Sequence, residues 1–380
     1  MKKFFFFTIA VALLAVSCSK TEVVTVNEDS PIAFQVANYA ATKVTGSVFP
    51  QDDTFGTYAW TAGTTTAYFI GNEEVSYNAT HDAWTTTTPY YWPKDQAVDF
   101  FSYYPYDATG AVPAITSASK ITYSNIDYTA HQIDYMYADK AVGFTDNANQ
   151  VDDGTQSGRG GVPTFFRHAG SKVTINVILG ENEKTETVTG TKTKWEVELL
   201  EVVLSGIYTK GSCELNLSST DNGVIAWTKP SDNAGYHVWS PVTTMTNDTN
   251  STLYKNVQHY NLSPNQGQQV IGPVYMLPQT LAADQQKITL KVNIKAYRKT
   301  ATETDYPADP YMEQNNKIIS ADLLINTGEP STSVLAWQMN QAITYNITLG
   351  PAGQQITFDP AVDAWDAKNY STNIDISLDI

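Results

Sequence analysis

Lys287-Ile288-Thr289-Leu290-Lys291-Val292-Asn293-Ile294-Lys295-Ala296-Tyr297-Arg298 alternates apolar and polar residues from end to end. Ile288, Leu290, Val292, Ile294 and Ala296 share one face, with Thr289, Lys291, Asn293 and Lys295 on the other. A period of two belongs to a β-strand with one face on a core and the other in water. Val173, Ile175 and Val177 repeat the pattern, as does the run from Ala342 to Leu349. No window of a dozen residues carries a 3.6-residue period, so helices are few and short. The predicted class is all-β, built as antiparallel sandwiches.

Outward from that strand, the composition agrees. The chain has 380 residues, 23 of them Tyr, enough for two domains with cores of their own. Thr, Val and Ile abound, and Gly, Pro, Asn and Asp recur at short intervals. Pro31 opens a first strand that carries Ile32, Phe34 and Val36 on one face and runs to Ala40. Further strands are expected at Phe55 to Trp60, Ala67 to Tyr77, Thr85 to Trp92 and Ala97 to Tyr104. Asp146 to Gly161 is nearly free of large apolar residues and reads as a linker. It sets a first domain at 44–160 and a second at 161–380. Strands are expected there at Trp195 to Ile207, Ser212 to Leu217, Ile318 to Ile325 and Gln355 to Val362. Lys229 to Gln269 is long and polar, and is expected to hold short strands or a functional excursion.

Both ends carry signals. Lys2 and Lys3 precede an apolar run from Phe4 to Val16, too short to span a membrane and right for a signal peptide over residues 1–17. Leu14-Ala15-Val16-Ser17-Cys18 resembles a bacterial lipobox, which makes Cys18 the acylated first residue of the exported chain. Only Cys213 remains, so no internal disulfide forms without consuming Cys18. Its alternation with Leu215 and Leu217 marks it as a small buried side chain. At the other end, Ile374, Ile376, Leu378 and Ile380 alternate with Asp375, Ser377 and Asp379. Each of these four apolar side chains gains about 1.5–3 kcal/mol by burial. The tail therefore needs a groove, on its own molecule or on a neighbour.

The net charge of −16 without a basic patch argues against nucleic acid and anionic membrane surfaces. His81, His131, His168, His237 and His259 stand apart, with no metal-ligand spacing. Gly158-Arg159-Gly160-Gly161 lacks the lysine of a phosphate loop, and no Gly-x-Ser-x-Gly elbow occurs. The reading is a protein without catalytic residues, cofactor or metal. Its many Tyr and Trp residues suit cross-strand pairs, and also a surface on which sugar rings stack.

Several runs, in order, resemble the fimbrillin (Mfa-like) family. They are Tyr91-Trp92-Pro93 with Val98-Asp99-Phe100-Phe101-Ser102-Tyr103-Tyr104-Pro105, then Phe166-Arg167-His168-Ala169-Gly170-Ser171-Lys172 and Val274-Tyr275-Met276-Leu277-Pro278-Gln279. Near the end come Trp337 with Tyr345-Asn346-Ile347-Thr348-Leu349, and Ile356-Thr357-Phe358 with Trp365. The resemblance implies two transthyretin-like β-sandwich domains in tandem and a type V pilus subunit, exported to the outer membrane as a lipoprotein. It further implies that a trypsin-like protease cuts after Lys43 and that residues 18–43 leave with the lipid. The opened groove then takes the strand of Ile374, Ile376, Leu378 and Ile380 from another copy or a related pilin. Where family members have Thr-Arg-Ala, this chain has Thr42-Lys43-Val44. Adhesion to a host protein or glycan is the expected outcome for the cell. A tip adhesin and a monomeric glycan-binding surface lipoprotein are the alternatives.

Overall fold

A computed structural model describes residues 26–38, 49–62, 68–107, 113–117, 120–146, 161–216, 224–228, 236–239, 259–328, 333–350, 355–364 and 374–377. The described elements are all strands. The first are β1 (Val26–Pro31), β2 (Ala33–Asn38), β3 (Phe55–Thr61), β4 (Ile70–Asn78), β5 (Ala83–Thr86) and β6 (Tyr91–Pro93). There follow β7 (Val98–Tyr104), β8 (Ala114–Ser117), β9 (Lys120–Asp127), β10 (Met136–Ala138), β11 (Ala141–Phe144) and β12 (Val162–His168). The second half opens with β13 (Ser171–Leu179), β14 (Glu183–Thr185), β15 (Lys192–Tyr208), β16 (Lys210–Asn216), β17 (Val224–Thr228), β18 (Tyr236–Trp239) and β19 (Tyr260–Asn261). It continues with β20 (Gly267–Met276), β21 (Gln279–Thr280), β22 (Lys287–Lys299) and β23 (Met312–Asp322). The last are β24 (Ala336–Trp337), β25 (Gln341–Leu349), β26 (Gln355–Ala364) and β27 (Ile374–Ser377).

The first-half sheet has the order β10-β12-β2-β5-β4-β3-β7-β11, and β10 also pairs with β7. That extra pairing closes seven of the strands into a ring around one core, which holds Phe34, Phe49, Phe55, Trp84, Trp92, Phe100 and Phe166. Closure removes sheet edges, which otherwise present unpaired backbone groups. In the second half, two sheets face each other across a separate core. One runs β20-β13-β25-β26-β27; the other runs β14-β15-β22-β23, with β18 and β19 also on β15. Their inward alternation is the one seen in the sequence: β13 is buried at every second residue from Ser171 to Leu179.

A third layer joins the halves. β9 from the first and β16 from the second pair antiparallel within the sheet β17-β16-β9-β8. Under it lies an aromatic core of Tyr58, Trp60, Phe101, Tyr103, Tyr123, Tyr128, Tyr135 and Tyr137, with Cys213 fully buried among them. Strands β3 and β7 are therefore covered on both faces. Phe55, Ala59, Val98 and Phe100 turn to the ring core; Tyr58, Trp60, Phe101 and Tyr103 turn to the aromatic one.

Several strand limits differ from expectation. The Thr85 to Trp92 stretch is two strands, β5 and β6, because Pro89 offers no N–H and Thr86 Oγ1 donates locally to the Thr88 carbonyl at 2.7 Å. The strand expected at Ile318 to Ile325 is Met312–Asp322, because an extra residue inside it interrupts the alternation. The first sheet takes in β12 and so runs on to His168, past the linker whose residues 147–160 lie outside those described. The polar stretch from Lys229 contributes β18 and β19.

Candidate functional site

Strand β2 is the first strand of the closed ring and sits in its interior. It pairs parallel to β12, from Val162 with Phe34 to Phe166 with Asn38, and antiparallel to β5 through Ala33 with Thr85 and Phe34 with Trp84. The alternation read at Ile32, Phe34 and Val36 puts all three into the core, at 2%, 3% and 1% exposure. Phe34 meets Phe55 and Phe100 edge-on, each with ring centroids 5.8 Å away.

Two further contacts hold β2. The Ile32 N–H donates to the Tyr90 carbonyl at 2.8 Å, where β1 turns off to pair with β6. Gly161 lies against the strand so closely that a Cβ there would fall 2.9 Å from the Ala33 carbonyl oxygen and 3.0 Å from the Gln35 nitrogen. Only a residue without a side chain lets the linker end pass there.

Burial of Ile32, Phe34 and Val36 is worth about 5–9 kcal/mol together, at roughly 1.5–3 kcal/mol each. Whole domains are stable by about 5–15 kcal/mol. Withdrawing β2 would thus cancel much of the first half's margin. It would also bare the facing backbones of β12 and β5 on either side of an apolar trench. Such a seat suits one chemical task, the binding of an extended strand with large apolar residues at every second position.

Phe49, which follows Lys43 by six residues, was not singled out in the sequence. It is 1% exposed and stacks on Phe166 at 5.0 Å, with Trp84 and Tyr104 each 5.3 Å away. Its signal was an isolated aromatic before Pro50, which sequence pattern alone does not separate from a loop residue. Around the seat, Arg167 of β12 grips Asp139 with two bonds, Nε to Oδ1 at 2.8 Å and Nη2 to Oδ2 at 2.9 Å. His168 Nδ1 lies 2.8 Å from Asp134 Oδ1, and Asn340 Oδ1 accepts from the His168 backbone N–H at 3.3 Å.

Of the residues singled out at the termini, Ile374 and Ile376 lie on β27. Among the described residues that strand is the outermost of its sheet, and it pairs antiparallel with β26, Ile376 opposite Ile356 and Ile374 opposite Phe358. Cys18, Lys43, Leu378 and Ile380 lie outside the described residues. The structure does not bring β27 to the β2 seat within one molecule: β27 belongs to a second-half sheet and β2 to the first-half ring.

Comparison with known proteins gives the following. The model of a family described as fimbrillin-like matches residues 42–365, which begins beyond β2 and ends before β27. A fimbrial protein from Bacteroides vulgatus has a similar structure, with a TM-score of 0.53 and 17% identity over 88% of this chain and 99% of that one. A candidate cell adhesion protein from Bacteroides uniformis gives a TM-score of 0.45, also at 17% identity, over 89% of this chain and 99% of that one. At such identity the likeness to the Bacteroides vulgatus protein speaks to the fold alone. No curated protein matches the chain.

Proposed function

Because the chain belongs to the fimbrillin-like family, we propose that it is a structural subunit of a type V surface fimbrium that polymerises by passing one strand between copies. In this reading the exported chain is held at the outer membrane by acyl groups on Cys18. A trypsin-like protease cuts after Lys43, and the segment with β1 and β2 departs with the lipid. The emptied seat between β12 and β5 then receives the stretch of Ile374, Ile376, Leu378 and Ile380 from the next copy. The protein has no catalytic role. It serves attachment of the cell, and its partners are copies of itself or related pilins.

The observation that carries the reading is the position of β2: interior in its sheet, deeply buried, yet reached from the chain start and followed by the basic residue of the expected cut. A strand in such a place is a costly one to remove, so a subunit that loses it is driven to take up another. A contact from one copy's tail to the next copy's seat runs head to tail and need not close, which yields a filament.

Treating the purified precursor with trypsin tests this. The expected result is a cut at Lys43 followed by ladders on a non-denaturing gel, and loss of laddering when residues 373–380 are deleted. A fully cut protein that stays monomeric would overturn it.

A further inference from the structure

Strands β20 and β23 stand outermost in the two sheets of the second half, each with one neighbour among the described residues. Both carry the same irregularity. In β23, Gln314 pairs with Ile294 and Lys317 with Val292, so Asn315 and Asn316 together face the single residue Asn293. Asn316 takes the left-handed conformation, with φ of 57°, and its N–H donates to Asn293 Oδ1 at 2.9 Å. In β20, Ile271 pairs with Ile175 and Val274 with Val173, so Gly272 and Pro273 together face Thr174, and a second shift follows at Val270, between Ile271 on Ile175 and Gln269 on Asn176. Gly272 has φ of 85°, and a Cβ there would lie 2.4 Å from the Val173 carbonyl oxygen. The Gly272 carbonyl accepts from the Gln269 side-chain amide, and Pro273 has no N–H to offer.

Each outer strand thus has a two-for-one bulge, a left-handed residue in it, and a side-chain amide bonded to that residue's backbone. A bulge bends and overtwists its strand, and edge strands with such bends resist pairing with a straight guest. The burial pattern shows what the insertions cost in regularity. Ile271, Val274 and Met276 are buried in β20, and the step of three across Gly272-Pro273 returns to two if one residue is removed.

We infer that these two bulges are specificity elements: they close the β20 and β23 edges of the second half to strand addition by a second copy, and so favour strand exchange at the β2 seat. The inference rests on the strand-exchange reading of the function. Gln269, Gly272, Pro273, Asn293 and Asn316 are the residues that set it.

The test uses the full-length, uncut chain in detergent, so that the β2 seat stays filled. Asn316 is deleted in one variant and Pro273 in another, and a third, Asn316→Val, strains the bulge at constant length. Sedimentation velocity is read over a range of concentrations, with circular dichroism to check folding. Each folded variant is expected to self-associate at about tenfold lower concentration than the parent, a factor equal to ~1.4 kcal/mol. Asn316→Gly, which keeps the left-handed residue, should sediment like the parent. Folded variants that sediment unchanged would overturn the inference, and so would equal self-association by Asn316→Gly. Trypsin laddering of the same samples reads the exchange itself. A parent that fails to ladder counts against the proposed function and leaves the edge result standing.

Discussion

The side-chain amide of Gln132 acts as a strand partner for Tyr275: it accepts from the Tyr275 N–H at 2.7 Å and donates to the Tyr275 carbonyl at 3.2 Å. Gln132 belongs to the first half and Tyr275 to β20 of the second, so one glutamine ties the two halves through main-chain hydrogen bonds. Within the second half, Gln279 is likewise a strand partner for Tyr208, accepting from its N–H at 3.0 Å and donating to its carbonyl at 3.1 Å.

Replacing Gln132 by Leu leaves both backbone groups of Tyr275 without these partners at a half-buried position. The expected loss is about 1–3 kcal/mol, seen as a lower midpoint in urea. A variant as stable as the parent would mean that the clasp contributes nothing net.

Gly56 admits no side chain while Tyr103 is in place. A Cβ at Gly56 would lie 2.2 Å from the Tyr103 ring, which is itself fully buried. Gly56→Ala is expected to cost about 1–3 kcal/mol through overpacking. Pairing it with Tyr103→Leu should cost less than the two single changes added together, which a double-mutant cycle by thermal unfolding would read.

The Tyr345 hydroxyl accepts from the Trp337 indole N–H at 3.0 Å and donates to the Leu323 carbonyl at 3.0 Å, all three residues within the second core. Tyr345→Phe keeps the ring but strands a buried N–H and a carbonyl. We expect about 1–3 kcal/mol of destabilisation and a shifted tryptophan emission; Trp337→Phe added to it should cost little more.

The junction tyrosines make the fold sensitive to alkali. Burial pushes the phenols of Tyr58, Tyr135 and Tyr275 from 10.0 up to about 12, with nearby tyrosines adding at Tyr58 and Asp134 adding at Tyr275. Unfolded, each ionises near 10, so the folded state holds its protons longer. Stability from this source is complete below pH 10 and falls as pH rises toward about 12. Phenolate absorbance should therefore rise in two stages, exposed tyrosines first and the junction set together with loss of near-ultraviolet circular dichroism. A single smooth rise centred near the ordinary value, with the fold intact, would contradict this.

How much of this was written in the chain varies by element. Strands such as Lys287–Lys299 and Ser171–Leu179 were legible because each buries one face on one core, which leaves a period of two in the residues. The seat of β2 was half legible. Ile32, Phe34 and Val36 announced a buried face, whereas Gln35, on the other face, gave no hint that it too is 2% exposed. The strands β3 and β7 were legible, but not the cover on their second face, since that layer comes from β9 and β16, far apart in sequence. The bulges at Asn316 and Gly272 show only as alternation that loses step.

The residues alone thus settled that the described fold is all-β, where most of its strands lie, and for strands with one buried face which side meets the core, because these depend on neighbours two positions away. Which strands lie side by side was decided only in three dimensions. Closure of the ring through β10, the parallel seat of β2 beside β12 and the sheet shared by both halves all join segments far apart in the chain. Backbone hydrogen bonds are alike for every residue, so local pattern cannot name the partner; shape and burial across the assembled fold select it.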